Sequence, residues 1–185
     1  MAESKIRSVG LEKALFGDVN PAGGMPTEMK QLARTLKGTA SFTTEADTVT
    51  NFYCEEEPTV PVETVSSETG LKQIKLNFME WDNDVLVATL GGTVQKSTSV
   101  TVDGKQYTVD KYKAPREVVQ IEKAMRVITK YKVVIDIPRA KILARFIWNL
   151  AGDQIAQIEI TATVMSSAGA DDGAYEIYKL GEPNE

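Results

Sequence analysis

Hydrophobic and polar positions alternate with a period of two along most of this chain. Between residues 71 and 78, Ile74, Leu76 and Phe78 alternate with Lys75 and Asn77, the pattern of a strand with one buried face. The alternation breaks at Trp81-Asp82-Asn83-Asp84, where Asp82 or Asn83 can cap the free N–H groups of a helix turn. Val85, Leu86 and Leu90 then share a helical face, and Gly91-Gly92 ends it, because glycine enters the left-handed conformation without steric cost. A strand, a capped short helix and a second strand are therefore predicted over residues 71–94. The helix is expected to act as a brace, with Val85, Leu86 and Leu90 packed over Ile74, Leu76 and Phe78.

Other segments repeat the strand signal. Ala40, Phe42 and Thr44 fall on one face, Val49, Asn51 and Tyr53 on one face of the next run, and residues 45–48 make a plausible hairpin connection. Residues 93–102 and 105–112 flank Asp103-Gly104, a strong hairpin turn. Residues 119–129 fit a strand, and Val118, Ile121, Met125 and Ile128 also fit a helix period. Residues 131–137 form a strand that Pro138 interrupts, confining that point to an edge or a bulge. Residues 141–150 read as a strand with Ala140, Ile142, Ala144, Phe146 and Trp148 on one face, or as a helix sharing Ile142, Phe146 and Leu150; the strand is preferred because its neighbours are strands. Ile158, Ile160, Ala162 and Val164 mark another strand, residues 166–173 a loop, and residues 174–180 a short closing strand.

Three stretches depart from this rhythm. Met29, Leu32, Ala33 and Leu36 follow helical spacing, so a turn or two of helix is expected within residues 26–36. Residues 1–25 are mixed and punctuated by turn dipeptides, the composition of a tail or of an arm that orders on a partner. Leu11, Leu15, Phe16 and Met25 would be its contacts. Residues 55–70 hold two prolines and a run of acids, the signature of a long loop, and such loops inside compact domains are usually functional or mobile. The expected organisation is an N-terminal arm, 1–25, and one β-rich domain, 26–185. Its fold class is mainly β, an antiparallel β-sandwich or partial barrel with one short flanking α-helix.

Val, Thr and Ile make up about a quarter of the 185 residues, which reinforces the strand assignment. A net charge of −5 argues against a grip on nucleic acid, which needs clustered Lys and Arg. There is no histidine, which removes Ser-His-Asp and Cys-His machinery, His-ligated zinc and the usual general base. The single cysteine, Cys54, allows no internal disulfide and no thiolate cluster; beside Glu55, Glu56 and Glu57 it reads as an inert thiol. Asp82, Asn83 and Asp84 lack the glycine and glutamate that an EF-hand loop requires, and Gly91-Gly92 lacks phosphate-loop spacing. A paired-acid glycosidase is not excluded by composition, but no enzyme and no cofactor are expected. Residues 1–19 lack the apolar core of a signal peptide and no segment has the length of a membrane span, so synthesis in a reducing cytosol and no membrane partner are expected.

The order of segments resembles a known family. An N-terminal stretch with GDVNPAGGMP leads to EEEPTVPVE; LKQIKLNFMEWD then passes into a capped helix closed by LGG, followed by VVIDIPRAKI and QIAQIEITATVM. This is similar to the tail tube proteins, or major tail proteins, of long-tailed bacteriophages. The resemblance implies a virion subunit made in a bacterial host cytoplasm. Its sheets would join those of neighbours into hexameric rings that stack head to tail, and DNA would pass through the lumen without specific binding. Partners would be further copies of the chain and other tail proteins such as the tape measure. The resemblance also implies a bridging loop, whose matching positions are Glu55, Glu56, Glu57, Thr59, Val60, Val62, Glu63 and Glu68, and a bridging arm carrying Leu11, Leu15, Phe16 and Met25. A stand-alone β-sandwich module binding a ligand or protein is the alternative.

Overall fold

The computed structural model describes residues 6–169 and 173–181. The start of the expected arm, the middle of the 166–173 loop and the last four residues lie outside the described residues. Strand β1 spans Leu11–Gly17, β2 Ser41–Thr44, β3 Thr48–Phe52, β4 Glu63–Glu68 and β5 Lys72–Phe78. Helix α1, Asn83–Leu90, follows, then β6, Thr93–Val102, and β7, Lys105–Lys113. The chain ends with β8, Ile121–Thr129, β9, Val133–Ile147, β10, Gln157–Val164, and β11, Glu176–Lys179.

Six strands form a curled half-barrel in the order β1, β8, β9, β10, β5, β2, each antiparallel to its neighbour, and β11 adds to β9. The pairs β3–β4 and β6–β7 are separate two-stranded sheets, and neither packs over the main sheet. The fold is a mainly-β partial barrel with one short helix, and the second layer of a sandwich is not formed.

Alternation drives the core. Rows of apolar side chains cross the strands in register: Phe42, Ile74, Ala162, Ile142 and Ile121 form one row, and Phe78, Ile158 and Phe146 another. Ile74, Leu76 and Phe78 are buried as their spacing predicts, and so are Ile158, Ile160 and Ala162. The opposite face of these strands carries Gln73, Lys75, Asn77, Glu159, Thr161, Thr163 and Arg145 and remains open.

Helix α1 begins and ends where its capping residues place it. The Asp82 carboxylate accepts from the Val85 N–H at 2.8 Å, and Gly91, at φ 74°, donates its N–H to the Val87 carbonyl at 3.1 Å. Gly92 is also left-handed, and a Cβ there would stand 2.3 Å from the Lys113 carbonyl oxygen, so the second glycine is what lets β7 approach. Val85 and Leu86 join the same core as Ile74, Leu76 and Phe78, but the helix lies chiefly against β9, with β6, β7 and β8, rather than over β5. Replacing Asp82 with alanine removes one cap hydrogen bond and should lower stability by about 1 kcal/mol in a denaturant titration.

Several sequence expectations change. Residues 26–36 are extended, not helical: Lys30 exchanges backbone hydrogen bonds with Phe16, Leu36 donates to Asn77, and Met79 donates to Arg34. Leu32 and Ala33 still reach the core, so their helical spacing reflects an irregular segment dipping inward between β1 and β5. Residues 45–48 do not join β2 and β3 as a hairpin; β2 pairs with β5, and β3 with β4. Residues 119–129 are a strand over β8. Residues 141–150 are a strand as far as Ile147, and Trp148 and Leu150 lie beyond it. Pro138 does not end β9. It falls at the register shift opposite Lys123 and Met125, and β9 changes partner there, pairing β11 before it and β10 after it.

Candidate functional site

The expected loop, 55–70, is the outer half of a β-hairpin. Residues 53–62 form its connection and Glu63–Glu68 return as β4 against β3, so the structureless part is shorter than expected. Val62 donates its N–H to the Phe52 carbonyl at 2.8 Å to close the connection, and the Thr64 hydroxyl meets the Asn51 carboxamide at 2.8 Å across the strands. At the base, Gly70 donates to the Asp47 carboxylate at 2.9 Å and Glu45 donates to the Leu71 carbonyl at 2.8 Å. A Cβ on Gly70 would stand 2.2 Å from the Glu45 carbonyl oxygen, so only glycine lets the two legs cross.

The hairpin brings Glu55, Glu56, Glu57, Thr59, Val60 and Val62 together in the connection, with Glu63 and Glu68 at the two ends of β4. Every residue of β3 and β4 is exposed. Val49, Phe52, Tyr53, Val60, Val62 and Val65 therefore stand in solvent, Val62 at 69%. Cys54 is half-buried at the turn into the connection, and no cluster of acids and Cys54 able to hold a metal ion occurs among the described residues.

The four expected arm contacts lie elsewhere and do not form one free surface. Leu11, Leu15 and Phe16 are on β1, an edge strand of the half-barrel paired with β8. Phe16 is 3% exposed and Ala14 is buried beside it, while Leu11, Leu15 and Met25 are half-buried. Among these four, Phe16 is spent on the chain's own core.

The second hairpin, β6–β7, was legible as a hairpin but carried no expected role. Asp103, at φ 51°, and Gly104, at φ 73°, form its two-residue turn. Pairing sets Val100 opposite Tyr107, Thr98 opposite Val109 and Val102 opposite Lys105. One face thus holds Val100, Val102, Tyr107 and Val109, of which Val102, Tyr107 and Val109 are exposed. Tyr112 has the other orientation on β7, and its hydroxyl donates to the Gly91 carbonyl at 2.7 Å, anchoring the hairpin to the end of α1. The signal was present in the sequence as the alternation of Tyr107 and Val109.

The two hairpins leave opposite ends of β5. The β3–β4 pair precedes its Lys72 end, and α1 with β6–β7 follows its Phe78 end. At a strand rise of about 3.3 Å per residue these ends are roughly 20 Å apart.

Between them the open sheet face is knitted by its own charges. Arg145 makes a two-pronged pair with Glu159 at 2.8 and 3.0 Å, and Arg139 with Glu122 at 2.8 and 3.0 Å. Hydrogen bonds from these guanidinium groups hold both glutamates below the usual carboxylate range and raise both arginines. Their small contribution is present above the ordinary glutamate range and lost as pH falls through the lowered values. An aromatic cluster, Trp81 edge-on to Phe146 and Trp148 at 5.3 and 5.5 Å, closes the Phe78 end of the core.

Compared with protein-family models and with curated proteins, the chain matches none.

Proposed function

We propose that this protein is a self-assembling structural subunit of the tail-tube type, joining copies of itself into stacked rings around a conduit in a phage tail. The observation that carries the reading is the pair of hairpins, on which Val49, Phe52, Val65, Val102, Tyr107 and Val109 stay exposed among the described residues. A two-stranded ribbon is marginal in water by itself, so a chain that holds two of them gains their stability from something that packs on them. The half-barrel adds two edge strands: the outer side of β1 is already bonded to Lys30 at Phe16, and β2 offers its outer backbone groups to a neighbouring strand. Hairpins at the two ends of one sheet favour a head-to-tail, heterologous contact, which generates rings or filaments rather than a closed dimer. The open polar face, with its arginines already paired to glutamates, suits a surface past which DNA slides without being held.

Electron microscopy of the purified chain, alone and co-expressed with the proteins encoded beside it, should show rings or tubes with a central channel. A chain that sediments as a monomer at every concentration in both settings would overturn the proposal and favour the stand-alone binding module.

A further inference from the structure

The charges of the two hairpins are segregated. From Gly38 to Leu71 there are seven acidic residues and no Lys or Arg, whereas residues 93–113 hold four lysines and two aspartates. One of those aspartates is engaged internally, the Asp110 carboxylate accepting from the Ser97 N–H at 2.9 Å. Among the described residues, the ion pairs all lie on the half-barrel or the segments flanking it, and none uses a charge of either hairpin.

The basic charges are also placed. Lys105, Lys111 and Lys113 alternate in step with Tyr107 and Val109, so three lysines frame the apolar face of β6–β7. Tyr112, bonded to the end of α1, points the other way, which turns this lysine-framed face away from the chain's own helix. At the other end of β5, pairing sets Phe52 opposite Glu63 and Thr50 opposite Val65, so one face of β3–β4 holds the exposed Phe52 and Val65 with Glu63 beside them, and Glu55, Glu56 and Glu57 follow Phe52 into the connection. Each hairpin is an apolar patch with a charged rim, and the two rims have opposite sign.

We infer that the acidic β3–β4 hairpin of one copy docks on the lysine-framed face of the β6–β7 hairpin of the next copy. The inference rests on the self-assembly reading and adds its register: which surface meets which. Apolar contact supplies the attraction, and the rims oppose like-with-like pairing, since two acidic or two basic hairpins would repel. Placing complementary surfaces at opposite ends of one strand makes the contact heterologous, so it repeats in one direction and builds a ring or a filament instead of a closed dimer.

Two full-length chains test this. One carries E55K, E56K and E57K, so that both hairpins are basic; the other carries K105E, K111E and K113E, so that both are acidic. Thermal melting checks that each folds, and the substituted residues are at the surface. Sedimentation should show each variant remaining monomeric where the unaltered chain associates, with association restored on mixing the two. Association of the unaltered chain should fall about tenfold between 0.05 and 0.5 M salt, as screening shortens the reach of the rims. Either variant associating like the unaltered chain, or a mixture no better than its parts beside an unaltered chain that assembles, would overturn the docking and leave assembly standing. No association of the unaltered chain or of the mixture, either alone or co-expressed with the proteins encoded beside it, would remove the assembly reading and this inference with it.

Discussion

Replacing Phe16 with alanine should destabilise the isolated chain by about 4 kcal/mol, the middle of the range for a buried phenylalanine. Its ring lies edge-on to Phe78 with centroids 5.8 Å apart, and Phe78 is fully buried where β5 ends. Its backbone exchanges hydrogen bonds with Lys30 on one side while its strand pairs with β8 on the other. Truncation therefore opens a cavity between two strands and the 26–36 segment, none of which can collapse without moving the sheet. Phe78→Ala should cost a similar amount, and a double-mutant cycle should return a coupling of about 1 kcal/mol for the ring pair. The measurement is urea unfolding at a protein concentration below that of any assembly. A loss under about 1 kcal/mol for Phe16→Ala would mean that β1 is dispensable to the folded monomer and that residues 1–25 act as an arm after all.

That experiment separates what the sequence made legible from what it hid. The 71–94 stretch was readable because its determinants are local: alternation for β5, a capping aspartate for α1, and two glycines, the second held against the Lys113 carbonyl. The strand over β1 was hidden because its core residues, Ala14 and Phe16, sit among turn dipeptides and charged neighbours, so no long apolar alternation announces it. Strand β4 was hidden for a different reason. All of its residues are exposed, and a strand with no buried face leaves no hydrophobic period to find. The partner of β2 depends on pairing across the sequence, with β5 beyond the whole β3–β4 hairpin, which local pattern does not encode. The expected loop contacts came together because they are contiguous in the chain; the expected arm contacts did not, because burying Phe16 takes it out of reach. The basic hairpin went unassigned because its significance lies in the acidic one at the other end of β5.

Breaking the buried ion pair on the outer side of the sheet should be the other large effect. Asp136 on β9 is 2% exposed, and it is held from both flanks. Arg126, directly opposite on β8, donates to its two carboxylate oxygens at 2.6 and 2.7 Å, and the Tyr178 hydroxyl on β11 donates at 2.8 Å. The hydrogen bond to Asp136 raises the Arg126 guanidinium further, so the guanidinium stays charged throughout the physiological range. Burial, then the same carboxylate, raises the Tyr178 phenol, which keeps it a donor. The phenol's share of stability is thus intact below the ordinary tyrosine range and is lost as pH rises through its raised value. Arg126→Ala leaves the carboxylate buried without its counter-charge and should cost about 3 kcal/mol, the low end for such a break because the half-buried guanidinium leaves a path for water. Tyr178→Phe should cost about 1 kcal/mol and loosen β11, a four-residue strand with no buried side chain. The double replacement Arg126→Met with Asp136→Leu removes both charges together and should recover most of the loss, because the penalty comes from the stranded carboxylate and not from the missing attraction. If the double variant is as unstable as Arg126→Ala, the network holds β8, β9 and β11 in register by its geometry, and apolar packing cannot take its place.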